Sequence, residues 1–249
     1  MKEYYIDDDG IKIHAKLEMP KGVDKCPLVI VVHGFTGDME EEHITGAADA
    51  IVESGYAALR VEMYGHGKSG GEFRNHTLYK WIGNMLAVID HVKTLDFVTD
   101  IYICGHSQGG LLVMLIAGMC PDILRGVIPM SPAWMIPECT RLGELLGDRM
   151  DPKHIPDEFY QNGDNLLSGN YIRVAQTIHV EEQIERYDGP VLIIHGTDDE
   201  TVPFEYGKKA AEMYKNAKLV PVEGDDHCFN FHLDAVKDAI KDYLLSVVQ

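Results

Sequence analysis

Pro27-Leu28-Val29-Ile30-Val31-Val32 is a continuous apolar run, rich in β-branched residues and closed by His33-Gly34. Successive side chains of a strand point to opposite faces, so a half-wet strand alternates apolar and polar residues. A run without alternation must bury both faces, as happens when helices cover a parallel sheet on each side. The same kind of run returns at 57–61, 101–104, 126–130, 191–194 and 218–222. Stretches of helical period lie between and after them, at 44–54, 78–95, 109–119, 204–215 and 233–248. Strands that alternate with helices imply right-handed crossovers. The expected fold class is therefore α/β, a mostly parallel twisted sheet with helices on both faces. The start of the chain reads differently. Tyr4-Tyr5-Ile6 and the alternating Ile11 to Leu17 flank Asp9-Gly10, the signature of an antiparallel hairpin at a sheet edge.

Nothing divides the 249 residues: there is no long polar linker, low-complexity tract or repeat. The expectation is one domain, 1–249, with an insertion at about 133–188. That stretch has no strong strand run, yet it carries Trp134, Leu145, Phe159, Tyr160, Leu167 and Tyr171. It is too long for a plain loop and reads as a small cap over the site. Forty acidic against 22 basic residues give a net charge of −18 with no basic stripe, which argues against a nucleic-acid partner. No apolar stretch is long enough to span a bilayer, and MKEYYIDDDG does not resemble a secretory signal. Five scattered cysteines without a CxxC pair fit a reducing compartment. A cytoplasmic location is expected, with no membrane partner. The oligomeric state stays open, a homodimer included.

The chemistry sits at the ends of the runs. Gly105-His106-Ser107-Gln108-Gly109 is G-x-S-x-G placed between a buried strand and a helix. Such a sharp turn exposes the serine hydroxyl at a helix N-terminus, and only small neighbours tolerate the close approach. A serine hydroxyl needs a positioned base, and the base an orienting carboxylate. The chain supplies them in the order Ser, acid, His. Asp198 and Asp199 follow the 191–194 run and compete for the acid; Asp199 is preferred, with Asp198 as a turn residue. His227, in Gly224-Asp225-Asp226-His227 after the last run, is the expected general base. His33 and His195 are expected to brace loops, and His106 to point away from Ser107. His232 reads as a surface or capping residue. The oxyanion donors are expected at the Phe35 and Gln108 N–H groups, the first from the loop His33-Gly34-Phe35-Thr36-Gly37. No ligand spacing for a metal and no glycine-rich nucleotide loop is present, so neither metal nor cofactor is expected.

HGFTGD, GHSQGG, HGTDDETVP and DDHCF, in this order and over this length, resemble the bacterial cinnamoyl or feruloyl esterases. SPAW at 131–134 and NYIRVAQ at 170–176 make the likeness more specific. The resemblance covers essentially the whole chain. It implies an α/β-hydrolase that releases ferulate and related hydroxycinnamates from small-molecule aromatic esters, with the cap forming an aromatic acyl pocket. Trp134 and Tyr171 would belong to that pocket, Tyr171 binding the phenolic hydroxyl with Glu138 as its carboxylate partner. The other reading of Tyr171 is ordinary cap core. Three rival functions stand beside this one: a generic short-chain or monoacylglycerol-lipase-like esterase, an acyl-peptide peptidase, and a non-catalytic binding module.

Overall fold

The computed structural model describes residues 1–247. The chain opens with β1 (Lys2–Asp8) and β2 (Ile11–Glu18). They pair antiparallel across Asp9 and Gly10, whose φ values of 48° and 87° are those of a two-residue hairpin turn. Then come β3 (Cys26–Val32), α1 (Glu42–Glu53), β4 (Ala57–Val61), α2 (Leu78–Lys93), β5 (Val98–His106), α3 (Gln108–Met119) and β6 (Leu124–Met130). The stretch before the next sheet strand holds α4 (Met135–Arg141), the hairpin of β7 (Glu144–Leu145) and β8 (Asp148–Arg149), and the hairpin of β9 (Glu158–Gln161) and β10 (Asn165–Ser168). It ends with α5 (Asn170–Ala175) and α6 (Val180–Ile184). The chain closes with β11 (Val191–Gly196), α7 (Glu205–Met213), β12 (Ala217–Val222) and α8 (Leu233–Ser246). The helix expected at 233–248 agrees as far as Ser246; Val248 lies outside the described residues.

Among the described residues, eight strands form one sheet in the order β1-β2-β4-β3-β5-β6-β11-β12. The pairs β1–β2 and β2–β4 are antiparallel, and the rest are parallel. A mostly parallel sheet covered by helices is what the strand runs predict. β3 shows why those runs lack alternation. Its Leu28, Ile30 and Val32 pack with Trp81 and Met85 of α2 and Leu112 and Ile116 of α3. Val29 and Val31 face the other way, onto Ile44 and Ile51 of α1 and Val236 and Ile240 of α8. Each of these side chains is fully buried, worth ~1.5–3 kcal/mol apiece against exposure. All five cysteines lie within the described residues and none is paired.

The strand order also locates the site. After β3 the chain moves outward to β4, then returns to lay β5 on the other side of β3. The order reverses between β3 and β5, so the loops leaving their C-terminal ends diverge and leave a crevice. Those loops begin at His33 and Ser107.

Candidate active site

Ser107 caps α3 with φ 56° and ψ −117°, a backbone conformation that costs a non-glycine residue ~1–3 kcal/mol. Neighbouring packing holds it there. Its N–H donates to the Met130 carbonyl at 2.9 Å, and its carbonyl accepts from Leu111 and Ala133. A Cβ on Gly105 would overlap the Gly109 carbonyl oxygen, and one on Gly109 would overlap that of His33. The two glycines let strand, helix and the β3 loop meet at backbone contact. The N–H of Gln108 is the first of α3 and has no intrahelical acceptor.

Asp199 follows β11 and is 6% exposed. Its Oδ1 accepts the N–H groups of Thr201 and Val202 at 2.9 and 2.8 Å. His227 Nδ1–H donates to its Oδ2 at 2.7 Å. A carboxylate only accepts, so this contact fixes the His227 tautomer and leaves Nε2 as the basic nitrogen. Burial would raise the Asp199 carboxyl, but hydrogen bonds from His195 and His227 outweigh it and hold the group well below the usual carboxylate range. Asp198, the rival acid, is exposed and makes no hydrogen bond to His227. The His227 loop is itself tied down by acids. Fully buried Asp225 accepts from the N–H groups of Asp226, Phe231 and His232, and Asp226 accepts from Cys228 and Asn230.

Histidines brace the surrounding loops. Met63 N–H donates to His33 Nε2, so His33 Nδ1–H donates to the Gly34 carbonyl at 2.8 Å. His66 Nε2–H donates to the Phe35 carbonyl at 2.6 Å. Together they aim the Phe35 N–H. His195 Nε2–H donates to the Val202 carbonyl at 2.9 Å, within the acid loop. His106 packs against His227 with ring centroids 4.6 Å apart, and its Nε2–H donates to the His227 carbonyl at 2.7 Å. His43 Nε2–H donates in turn to His106 Nδ1 at 3.1 Å. Burial first, then the neighbouring imidazoles of His43 and His227, keep His106 neutral. Sequence reading found the bracing roles of His33 and His195 but no part for His43 or His66. A histidine in a glycine-rich loop carries no local sign of its partner thirty residues away.

A cavity of about 740 Å³ lies over these groups. Phe35, Ser107 and His227 form one part of its wall; Ile136, Leu146 and Gln161 from the stretch between β6 and β11 form another. The size suits a small organic molecule. The expected pocket residues are placed differently. Tyr171 is fully buried behind the wall; its hydroxyl donates to Gln108 Oε1 at 2.6 Å and its ring stands edge-on to Phe35 at 5.3 Å. Its proton goes to Gln108, and the ring packs behind the wall rather than on it. Trp134 is also fully buried, with the Lys209 ammonium 3.9 Å from its ring centroid, and it too stands off the wall. Glu138 lies behind Tyr206, whose hydroxyl donates to Glu138 Oε2 at 2.9 Å, while Oε1 accepts from Lys209. Tyr206 is a wall residue. Among the described residues no three or more His, Cys, Asp or Glu side chains gather to hold a metal ion, and no helix is long and apolar enough to cross a membrane.

One family model, described as serine aminopeptidase, S33, matches residues 24–156, more than half of the chain. The chain belongs to that family. A second model, described as TAP-like protein, matches residues 165–247. The structure of Est1E from Butyrivibrio proteoclasticus with ferulic acid bound is similar at TM-score 0.97 and 54% identity, over 98% of this chain and 99% of that one. A further structure of Est1E gives TM-score 0.93 and 52% identity, over 99% and 98%. A Haemophilus influenzae relative with an esterase/lipase designation is 32% identical over 275 residues, 96% of this chain and 93% of the relative. Human ABHD12B is 26% identical over 216 residues, 80% of this chain; the match spans only 56% of ABHD12B. By these similarities the protein is a carboxylic ester hydrolase on an α/β-hydrolase fold. The resemblance carried by the short motifs extends to the whole chain.

Proposed function

We propose that this enzyme hydrolyses esters of hydroxycinnamic acids through an acyl-enzyme on Ser107. The observation that carries the substrate class is the 54% identity, over nearly the full length of both chains, to a protein whose structure holds ferulic acid. The hydrogen bond between His227 and Asp199 supports the chemistry. His227 Nε2 takes the proton of the Ser107 hydroxyl while Asp199 holds the ring by Nδ1–H. The serine oxygen bonds to the ester carbonyl carbon, and the oxyanion that forms lies between the Phe35 and Gln108 N–H groups. One such donor is worth on the order of 3 kcal/mol in the transition state. The C–O bond then breaks, and the alcohol leaves with the proton from His227. Water, deprotonated by the same nitrogen, releases the acid and restores Ser107. Residues 133–188 act as a cap that closes the cavity over the acyl group.

The test compares kcat/KM on methyl ferulate, methyl cinnamate and p-nitrophenyl butyrate. The expected result is a clear preference for the cinnamoyl esters, highest for ferulate. Preference for butyrate with ferulate untouched would reduce the enzyme to a generic carboxylesterase.

A further inference from the structure

Gln161 closes β9 at the turn of the β9–β10 hairpin, paired with Asn165 across the ladder. The hairpin alternates as a strand pair must: Glu158 and Tyr160 face out and are exposed, while Phe159 and Gln161 face in. An inward position calls for an apolar residue, yet here it is a carboxamide only 2% exposed. Its Oε1 accepts from Asn165 Nδ2 at 3.2 Å. Its Nε2 is buried and has no hydrogen-bond partner among the described residues. The turn beside it is locked from outside, because Asn162 N–H donates to Asp148 Oδ2 at 2.7 Å on the neighbouring hairpin. Gln161, Asn162 and Asn165 all line the cavity that holds Ser107 and His227.

A buried donor left without an acceptor is a cost that folding alone does not explain. Gln161 borders the cavity, so an acceptor on a ligand seated there would relieve the cost. Tyr206, another polar wall residue, has no such need, since its proton already goes to Glu138. We propose that Gln161 is the specificity-determining residue for the acyl ring, its Nε2–H donating to a phenolic or methoxy oxygen of the hydroxycinnamoyl group. This rests on the hydroxycinnamate reading above. A plain cinnamoyl ring brings no acceptor and leaves the donor unpaired, so the contact discriminates between two rings of nearly the same shape.

The experiment measures kcat/KM for methyl ferulate and methyl cinnamate in the full-length enzyme and in Gln161→Leu and Gln161→Met, with fluorophosphonate labelling to confirm that each variant folds with a reactive serine. The ferulate-to-cinnamate ratio should fall roughly tenfold in both variants, through loss on ferulate alone. An unchanged ratio in a folded variant overturns the assignment. Product inhibition of the unaltered enzyme gives a second reading that needs no variant: free ferulate should inhibit about tenfold better than free cinnamate. Equal inhibition, or equal turnover of the two esters, overturns the Gln161 contact and leaves the esterase reading intact. No turnover of either cinnamoyl ester overturns both.

Discussion

Asp198 and Asp199 are neighbours in sequence and opposites in setting. Asp198 is exposed; Asp199 is buried, takes two backbone N–H groups on one oxygen and His227 on the other. Asp199→Asn keeps the shape but makes the acceptor a carboxamide, which no longer enforces the His227 tautomer or stabilises its protonated form. A fall in kcat on the order of 10³–10⁴-fold is expected for Asp199→Asn, whereas Asp198→Asn should stay within about twofold. Comparable losses in the two, measured on any ester turned over by the parent enzyme, would move the acid role away from Asp199. Ser107→Ala should abolish both turnover and fluorophosphonate labelling with the melting temperature nearly unchanged. Sequence order made Ser107, Asp199 and His227 legible because each follows an apolar strand run, and a strand end is a place defined by the chain itself. Tyr171 was not legible in the same way. Its hydroxyl goes to Gln108 and its ring to Phe35, and such pairings across the fold leave no trace in local spacing.

The unit β5–elbow–α3 shows what an element must be for such a residue to work. α3 is buried along Gln108 to Gly118, so it cannot shift to relieve strain at its first turn. Gly109 on α3 and Gly105 on β5 sit where any Cβ would strike backbone. Backbone, unlike a side-chain tip, has no rotamer to escape into. Gly109→Ala should therefore cost more than the usual gain in helix propensity, roughly 2 kcal/mol or more of stability, and lower kcat more than it raises KM. Chemical denaturation and kinetics on the same preparation check this, and a variant as stable and active as its parent would contradict the contact. Long elements of this kind announce themselves: the strands and helices of the sheet lie within a few residues of the expected bounds, since mostly apolar runs of four to six residues leave little choice of period. The β7–β8 and β9–β10 hairpins escaped, being only two and four residues a strand. Strands so short carry too few alternations to stand out, and their partners rather than their own sequence hold them. Gln161 lies in one of them.

At the scale of the molecule, the interior holds an unusual number of neutral imidazoles. Burial, followed by His66, pushes His33 down to about 3; burial and His66 likewise take His76 to about 3. Burial and then His227 bring His43 to about 4. The sign of their effect follows from proton counts. In the unfolded chain each of these titrates near its ordinary value of about 6.5. Between about pH 6.5 and 4 the unfolded state therefore binds a proton at each that the native state refuses, so unfolding becomes more favourable as pH falls. Each group contributes a slope approaching 1.4 kcal/mol per pH unit in that window. From about pH 7 to 5.5 the three together remove on the order of 3 kcal/mol, equivalent to roughly 10 °C in a chain of this size. The carboxylates with lowered values do not offset this. Asp199 also carries a depressed value, and its stabilisation is full above about pH 4 and is lost only below that. Calorimetry should thus show the melting temperature falling steeply between about pH 7 and pH 5, ahead of any carboxylate protonation. A flat profile there, with losses only below about pH 4, would mean that these histidines accept protons in the folded state, and that the loops His33 and His43 brace are more open to water than their burial indicates.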